Sequence, residues 1–415
     1  MSQGDWKRLD AVRRIKQATL TVVQTAQMLG VSERQVRRIV KRVTKLGARG
    51  VVHGHTGRSP ANRLKAAVRK RIVELMRGKY SGFNDKHFTE KLVEVEKLKV
   101  SRAAVQRILR AAGIGAARKR RPPKHRRRRD RKPQAGLMIL WDGSRHDWLE
   151  GRGPMLCLMG AIDDATSELL PGAHFVDQEC AEGYLRVLQA IAQEKGLPWS
   201  AYMDRHGSLR RNDGFWTLEE ELRGKQDPTQ VMRALEALDI EIIYALSPQA
   251  KGRVERLWNT LQDRLTSELR LTKAKTVEEA NAVLVRYTAD HNGRFAVSPE
   301  NSEEAWLPVR KGVDLERVCS FSYEATVSND NAVRLSGVPV IDIPPGRRRK
   351  SFAKARVEVR QLLDGSWRVY FEDELIAIAA GTNRGELRAL RALKRKKRSA
   401  AARAFRRGVE KLAAS

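Results

Sequence analysis

The chain has 415 residues, with 81 Lys and Arg against 49 Asp and Glu, and a formal net charge of +32. At roughly 100–200 residues per domain it is too long for one ordinary domain, and a charge so positive implies a polyanionic partner, nucleic acid first, whose phosphates Lys and Arg neutralise. No apolar run approaches the roughly 18–20 residues of a membrane span, and MSQGDWKRLD lacks the apolar stretch of a signal peptide, so no membrane partner and a cytoplasmic location are expected.

In chain order, residues 8–46 carry three short helical patterns. Leu9, Val12 and Ile15 share a face in the first, TVVQTAQMLG ends the second at Gly30, a C-cap position, and VSERQVRRIVKRV is the third. Ser32 is placed to cap that third helix and is counted, like Ser101 in the second unit, among the DNA contacts, and Val36, Ile39, Val40 and Val43 form its buried stripe. Arg34, Gln35, Arg37, Arg38, Lys41 and Arg42 point outward. A turn followed by a capped basic helix is a helix-turn-helix whose second helix enters a major groove; the plainer alternative is a three-helix bundle with a solvated basic face. Residues 1–50 are assigned to this DNA-binding domain and 51–60 to a linker.

A second unit of the same kind is expected over residues 61–116. Residues 61–77 are amphipathic, SGFNDKHFTEKLVEVE continues the helical pattern, and VSRAAVQRILRAAGI repeats the capped helix, with Ser101 as cap and Arg102, Gln106 and Arg107 outward. Between the units GHTGRSPANR reads as a linker, from which Arg58 can reach a minor groove. Residues 117–135 form a basic linker. Its Arg118–Lys132 stretch holds eleven Lys and Arg, too repulsive for a packed core, and lays Arg126, Arg127 and Arg128 along a phosphate backbone or in solvent.

The charge then reverses: formal charges come to +29 for residues 1–135, −8 for 136–310 and +11 for 311–415. An acidic centre suits an enzyme that holds metal cations with carboxylates, although an ordinary surface accounts for it too. LMILWDGS is an apolar run that brings Asp142 to the tip of a buried strand, and PMLCLMGAIDD and ELLPGAHFV complete a meander. CAEGYLRVLQAIAQEKG is an amphipathic helix, PWSAYMDRHGSL a strand ending at Asp204, TQVMRALEAL a helix and DIEIIYAL a strand. This alternation predicts an α/β sheet with helices on both faces.

SPQAKGRVERLWNTLQDRLTSELR follows as a long helix whose stripe of Val254, Leu257, Trp258, Leu261, Leu265 and Leu269 faces the sheet. Glu255 stands at the edge of the stripe, so that Asp142, Asp204 and Glu255 can converge in the oxygen-rich open site that two Mg2+ ions prefer. Lys251 and Arg253 suit the phosphates of a cut DNA end. Asp163 and Asp164 read as turn formers or outer groups, His206 as a loop residue or a contact to DNA or metal-bound water, and Glu268 as too far along the helix. Cys157, Cys180 and Cys319 are widely spaced, which argues against a zinc finger or a disulfide framework.

Residues 316–382 switch to period-two patterns in FSYEATVS, NAVRLSG, VPVIDIP, KARVEVRQLL, SWRVYFED and ELIAIA. These short strands predict a small β-barrel, with GRRRK, Gly346–Lys350, as its phosphate contact. Residues 383–415 form a basic helical or disordered tail for DNA or partner contact.

The order Asp142, Asp204, Glu255 within WDGS, MDRHGSL and SPQAKGRVERLWNTLQDRL, with GFNDKHFTEKL before it and YTADHNGRFAVSPENSEEAW after it, resembles the DDE catalytic core of the retroviral-integrase superfamily, and within it the ISNCY-type insertion-sequence transposases. The likeness spans nearly the whole chain, and SPQAKGRVER is its most specific piece. It implies a multidomain protein: an all-α helix-turn-helix N-terminal region, an α/β RNase H-like core over 136–310, the small barrel and the basic tail. It further implies Asp142, Asp204 and Glu255 as catalytic residues and ligands of two Mg2+ ions, with Mn2+ able to substitute. The implied activity is cleavage of the element's terminal inverted repeats and joining of 3′ hydroxyls to target DNA, by a homo-oligomer, dimer or larger, at the bacterial nucleoid. The 50 residues between Asp204 and Glu255 exceed the standard integrase spacing, and the surplus is assigned to RRNDGFWTLEEELRGKQDPT as an insertion. The alternative is a domesticated, catalytically inert DNA-binding regulator on the same scaffold.

Overall fold

The computed structural model describes residues 1–56, 63–117, 129–211, 216, 218–245, 252–335, 338–346 and 349–381. Arg58, Arg126, Arg127, Arg128, Lys251 and the 383–415 tail lie outside the described residues. The chain divides into two compact units, Met1–Arg71 and Ile72–Ser415.

The first unit holds α1 (Gln3–Lys16), α2 (Val22–Leu29) and α3 (Glu33–Leu46), followed by a short 3-10 turn over Gly47–Val51. Each helix starts where the sequence offers a side-chain oxygen to the orphan backbone amides: Ser2 and Thr21 form capping boxes with Asp5 and Gln24, and Ser32 accepts from the Gln35 amide at 3.3 Å. α2 stops at Gly30, whose φ of 62° is the left-handed C-cap conformation. Leu9, Val12, Ile39, Val43 and Val51 pack into one core.

A second helical group contains α4 (Ala66–Arg77), α5 (Asp85–Glu94) and α6 (Arg102–Ala111). GFNDKHFTEKL has a clear local logic. Asn84 caps α5 by accepting from the Lys86 and His87 amides, while Phe83, Phe88 and Leu92 are fully buried, with Tyr80 edge-on to Phe83 at 5.3 Å.

The central sheet is built from β1 (Ile139–His146), β2 (Leu156–Asp163), β3 (His174–Val176), β4 (Ser200–Met203) and β5 (Glu241–Tyr244), in the order β3-β2-β1-β4-β5. β1 is antiparallel to β2 and parallel to β4. Helix α7 (Ala181–Glu194) lies between β3 and β4 in the chain; α8 (Leu218–Arg223) and α9 (Gln230–Ala237) lie between β4 and β5; α10 (Gly252–Leu271) and α11 (Val277–Phe295) follow. α8 falls inside the segment assigned as an insertion.

Strand alternation splits the core in two. Ile139, Trp141, Met159 and Met203 face α7 and α9, whereas Leu140, Leu158, Ile162 and Tyr202 face the apolar stripe of α10 and α11. The stripe predicted for α10 is buried at every position, Val254, Leu257, Trp258, Leu261, Leu265 and Leu269.

After α12 (Leu315–Val318), six strands follow: β6 (Phe321–Thr326), β7 (Ala332–Val333), β8 (Ile341–Asp342), β9 (Arg356–Gln361), β10 (Trp367–Phe371) and β11 (Glu374–Ala379). The strand count matches the sequence, but the expected barrel is corrected. Among the described residues the strands form an open antiparallel sheet, β11-β10-β9-β6, and a separate β7–β8 pair. Both contribute to one core through Val333, Ile341, Val359, Trp367 and Val369. β7 and β8 have two residues each, too short a ladder to bridge the sheet edges. No helix among the described residues is long and apolar enough to cross a membrane.

Candidate active site

Parallel pairing of β1 with β4 places Ile139 opposite Ala201 and Leu140 opposite Tyr202. Two residues further along each chain stand Asp142 and Asp204, so the two carboxylates leave this ladder together at its C-terminal end. β1 itself does not stop at Asp142, as the apolar run had implied. It continues to His146, paired with Leu156 of β2, because the β1–β2 ladder outlasts the short β4. Asp142 therefore marks the end of the parallel partner and not the end of its own strand.

Helix α10 reaches this point directly. Trp258 is buried in the core that holds Leu140 and Tyr202, and its indole N–H donates to Asp142 Oδ2 at 3.0 Å. One turn further, Gln262 Nε2 donates to Ser144 Oγ at 3.2 Å. Glu255 lies one turn before Trp258 and is exposed. Among the described residues no three His, Cys, Asp or Glu side chains stand together as a group able to hold a metal ion. Thus the fold brings Asp142 and Asp204 together and does not gather Glu255 with them; residues 246–251, which lead into α10, lie outside the described residues.

Arg253 does not face outward to phosphates as expected. Its side chain is only 11% exposed, and its guanidinium donates to Asp164 Oδ1 at 2.5 Å and to the Arg129 carbonyl at 2.6 Å. Asp164 is fully buried and also accepts from Arg129 at 2.5 Å and from the Lys132 amide at 2.8 Å. One carboxylate thereby anchors both the end of the basic linker and the first turn of α10. No periodic pattern announces this pair, which spans 89 positions in sequence. Asp163 behaves as the turn former expected of it, accepting from the Gly136 and Thr166 amides at 2.8 Å; burial raises its carboxyl above the usual range against those bonds.

Glu179, which no motif or period singles out, lies beside Asp204's neighbour His206. Its Oε1 accepts the Tyr184 hydroxyl at 2.6 Å and lies 3.1 Å from His206 Nδ1, while the His206 amide donates to Asp204 Oδ1 at 2.8 Å. Burial raises the Glu179 carboxyl; the Tyr184 bond and His206 pull it down, and the negative charges of Asp142 and Asp204 push it up again.

Among the residues selected as DNA contacts, Arg34, Arg37, Arg38, Arg102, Gln106 and Arg107 are exposed on α3 and α6, and Gln35 is half-buried. Arg37 pairs with Glu33 at 2.9 Å along its own helix, and Arg107 donates to the Ala103 carbonyl at 3.2 Å. The hydroxyls of Ser32 and Ser101 serve as helix caps, each accepting at 3.3 Å. In the C-terminal sheet domain, Arg349 of GRRRK lies over the rings of Phe352 and Phe371 at 5.4 and 4.9 Å.

Comparison with known proteins gives the chain several relatives. A family model described as a winged helix-turn helix matches residues 8–70. The chain is 29% identical over 412 residues to the transposase for insertion sequence IS1202 of Streptococcus pneumoniae, covering 90% of this chain and 85% of that protein. A solved simian T-cell lymphotropic virus intasome in complex with PP2A regulatory subunit B56 gamma is 13% identical with a TM-score of 0.30, covering 74% of this chain and 95% of that one, a superposition too loose to define a fold. To the putative transposase y4bF of Sinorhizobium fredii the identity is 36% over 314 residues, covering 76% of this chain and 67% of that protein. At 36% identity over 76% of its own length and 67% of that relative, the chain belongs to the transposases.

Proposed function

We propose that this transposase is of the DDE type: it binds the terminal inverted repeats of its element through α3 and α6, cuts the DNA ends by Mg2+-dependent hydrolysis and joins the freed 3′ hydroxyls to target DNA. The observation that carries this is the β1–β4 ladder, which ends in two carboxylates side by side on a sheet of the order β3-β2-β1-β4-β5, the order of an RNase H-like core. Adjacent hard oxygen donors suit Mg2+, with Mn2+ as a substitute. When bound, the cation supplies Lewis acidity at phosphorus and a water of lowered pKa.

The protein's own contribution is placement. Trp258 fixes Asp142 by its indole N–H, and the Asp164–Arg253 ion pair fixes the first turn of α10, from which Glu255 must swing inward to complete the set. Arg34 and Arg38 on α3, with Arg102 and Gln106 on α6, are exposed at positions suited to groove and phosphate contact. Both cleavage and joining are in-line displacements, so one site serves both, and a homo-oligomer would hold two ends together.

Cleavage of end-bearing DNA by the full chain, with and without Mg2+, tests this. Asp142→Asn, Asp204→Asn and Glu255→Gln are each expected to remove cleavage, by at least about a thousandfold, while end binding persists. Metal-independent cleavage, or full cleavage by either aspartate variant, excludes the DDE mechanism. Repeat binding with no cleavage under any divalent cation identifies the inert regulator instead.

A further inference from the structure

The end of the basic linker and the first turn of α10 meet over one buried carboxylate. Asp164 Oδ1 accepts from Arg129 Nη2 and Arg253 Nη1, both at 2.5 Å, and Oδ2 accepts from Arg129 Nη1 at 3.2 Å and the Lys132 amide at 2.8 Å. An ionised carboxylate has about four lone-pair sites, and these bonds occupy them. Arg131 stands at the same joint but is held by uncharged oxygens, its Nη1 donating to the Asp164 and Ala165 carbonyls at 3.0 Å and to the Ser167 hydroxyl at 2.8 Å. Burial lowers its pKa, and the charges of Arg253 and Arg256 press the same way against those of Asp164 and Asp163. Arg131 and Arg256 are exposed, as is 38% of the Arg129 side chain. Arg129 also lies over the ring of Tyr202, two residues before Asp204, at 5.8 Å, and Arg256 directly follows Glu255.

We infer that Arg129, Arg131 and Arg256 form a seat for the DNA backbone beside the aspartate pair, organised by Asp164 and taking phosphate without regard to base sequence. This rests on the proposed action on DNA ends. Four guanidinium groups meet two carboxylates here, and both carboxylates are buried and turned inward, Asp163 on backbone amides and Asp164 on Arg129, Arg253 and the Lys132 amide. The excess positive charge therefore lies at the surface. Folding alone gives no reason to crowd like charges there, whereas a polyanion turns the crowding into binding. Because the anchor is buried, Arg129 and Arg131 have little side-chain freedom left to lose when phosphate arrives.

Binding of the full chain to end-bearing DNA and to unrelated DNA of equal length, followed from low to high salt without divalent cation, tests this apart from cleavage. Arg131→Gln and Arg256→Gln are each expected to flatten the slope of log Kd against log salt by about one, equally on both DNAs, as the loss of one phosphate contact does. Arg256→Gln removes an exposed charge and should leave the melting temperature without DNA level or higher, so it carries the test even if Arg131→Gln, which gives up three oxygen partners, weakens the fold. Arg310→Gln is the reference for net charge, since Arg310 pairs with Asp239 and takes no part in the seat; its slope should match wild type. Equal flattening in Arg310→Gln overturns the seat by making the effect one of net charge, and a loss confined to end-bearing DNA overturns it by making the contacts base recognition. Unchanged slopes in the Arg131 and Arg256 variants, with a flattened slope in Arg38→Gln, overturn the seat and leave DNA binding through α3 standing. Unchanged slopes in all of them, Arg38→Gln included, overturn the proposed DNA binding as well.

Discussion

Helices α3 and α6 look alike in sequence, each a serine-capped basic helix, yet they are supported by different physics. α3 rests on an apolar core closed within its own unit, through Ile39 and Val43. The group containing α6 is tied to the central α/β core by charge. On its neighbour α5, Glu90 accepts from Arg264 of α10 at 2.8 Å, His87 and Lys91 each meet Glu268 at 2.7 Å, and Glu94 accepts from Arg294 of α11 at 2.7 Å. Asn84 reaches Asp263 in the same row. Positions 87, 90, 91 and 94 trace one face of α5, so a charged helical face that would pass for a solvated one is an interface. Burying charges is tolerable only when each finds its counterpart, which makes this joint specific and vulnerable at once.

The largest effect is expected from breaking its most buried member. The Arg264 side chain is 4% exposed, bonds both Glu90 oxygens at 3.0 and 2.8 Å, and lies over the Phe295 ring at 4.9 Å. Arg264→Met keeps much of the stem but, among the described residues, leaves Glu90 to Arg294 at 3.3 Å. A loss of about 3 kcal/mol is predicted for the second unit in urea unfolding, at the lower end of what removing one partner of a buried pair does. A loss below about 1 kcal/mol would show that this face is solvated, like an ordinary surface pair.

A smaller and pH-dependent effect belongs to α11. His291, the histidine of the YTADHNGRF segment, is buried between the rings of Tyr287 and Phe295, and burial, aided by the Arg264 charge, lowers its pKa to about 4. Unfolded histidine titrates near 6.5, so between roughly pH 6.5 and pH 4 the unfolded chain binds the extra proton. The sign is therefore a loss of stability on acidification, complete as pH falls through the folded value. Wild type should lose up to about 2 kcal/mol more than His291→Gln between pH 7 and pH 4.5. Parallel pH curves for the two proteins would remove His291 from the account. Glu268 adds a separate loss lower down: burial alone would raise its carboxyl, but hydrogen bonds from His87 and Lys91 bring it below the usual glutamate range, so its contribution holds at neutral pH and fades in stronger acid.

These contrasts explain what was legible in the sequence. Period and caps are local, so α3, α6, the α10 stripe and all five strands of the central sheet could be read from residues a few positions apart. Asp142 and Asp204 could be selected because each follows a short apolar run. Long-range partners left no such trace. Arg253 looked like a phosphate ligand because a basic residue in a helix's first turn is usually solvated, and only the fold brings Asp164 to it. Glu179 sits in VDQECAEG, without period or motif. The barrel was over-read for a related reason: period-two runs reveal strands but not whether the outermost ones meet.

The smallest effects return to the two caps. Ser32 and Ser101 were selected with the DNA-contacting residues, but each hydroxyl already accepts a backbone amide, from Gln35 and Ala104 respectively. Replacing either by Ala should cost about 1 kcal/mol of helix stability. Ser32→Ala should lower the unfolding midpoint of the first unit alone and speed hydrogen exchange at the Gln35 amide. Ser101→Ala should leave that midpoint in place, since α6 belongs to the unit anchored on α10, and show instead as faster exchange at the Ala104 amide. Repeat-DNA affinity should fall no further than the fraying of each first turn accounts for, because both substitutions leave the exposed arginines of the basic faces in place. An affinity loss well beyond about tenfold in Ser32→Ala, with exchange at Gln35 unchanged, would make the serine a base or phosphate contact and not a cap.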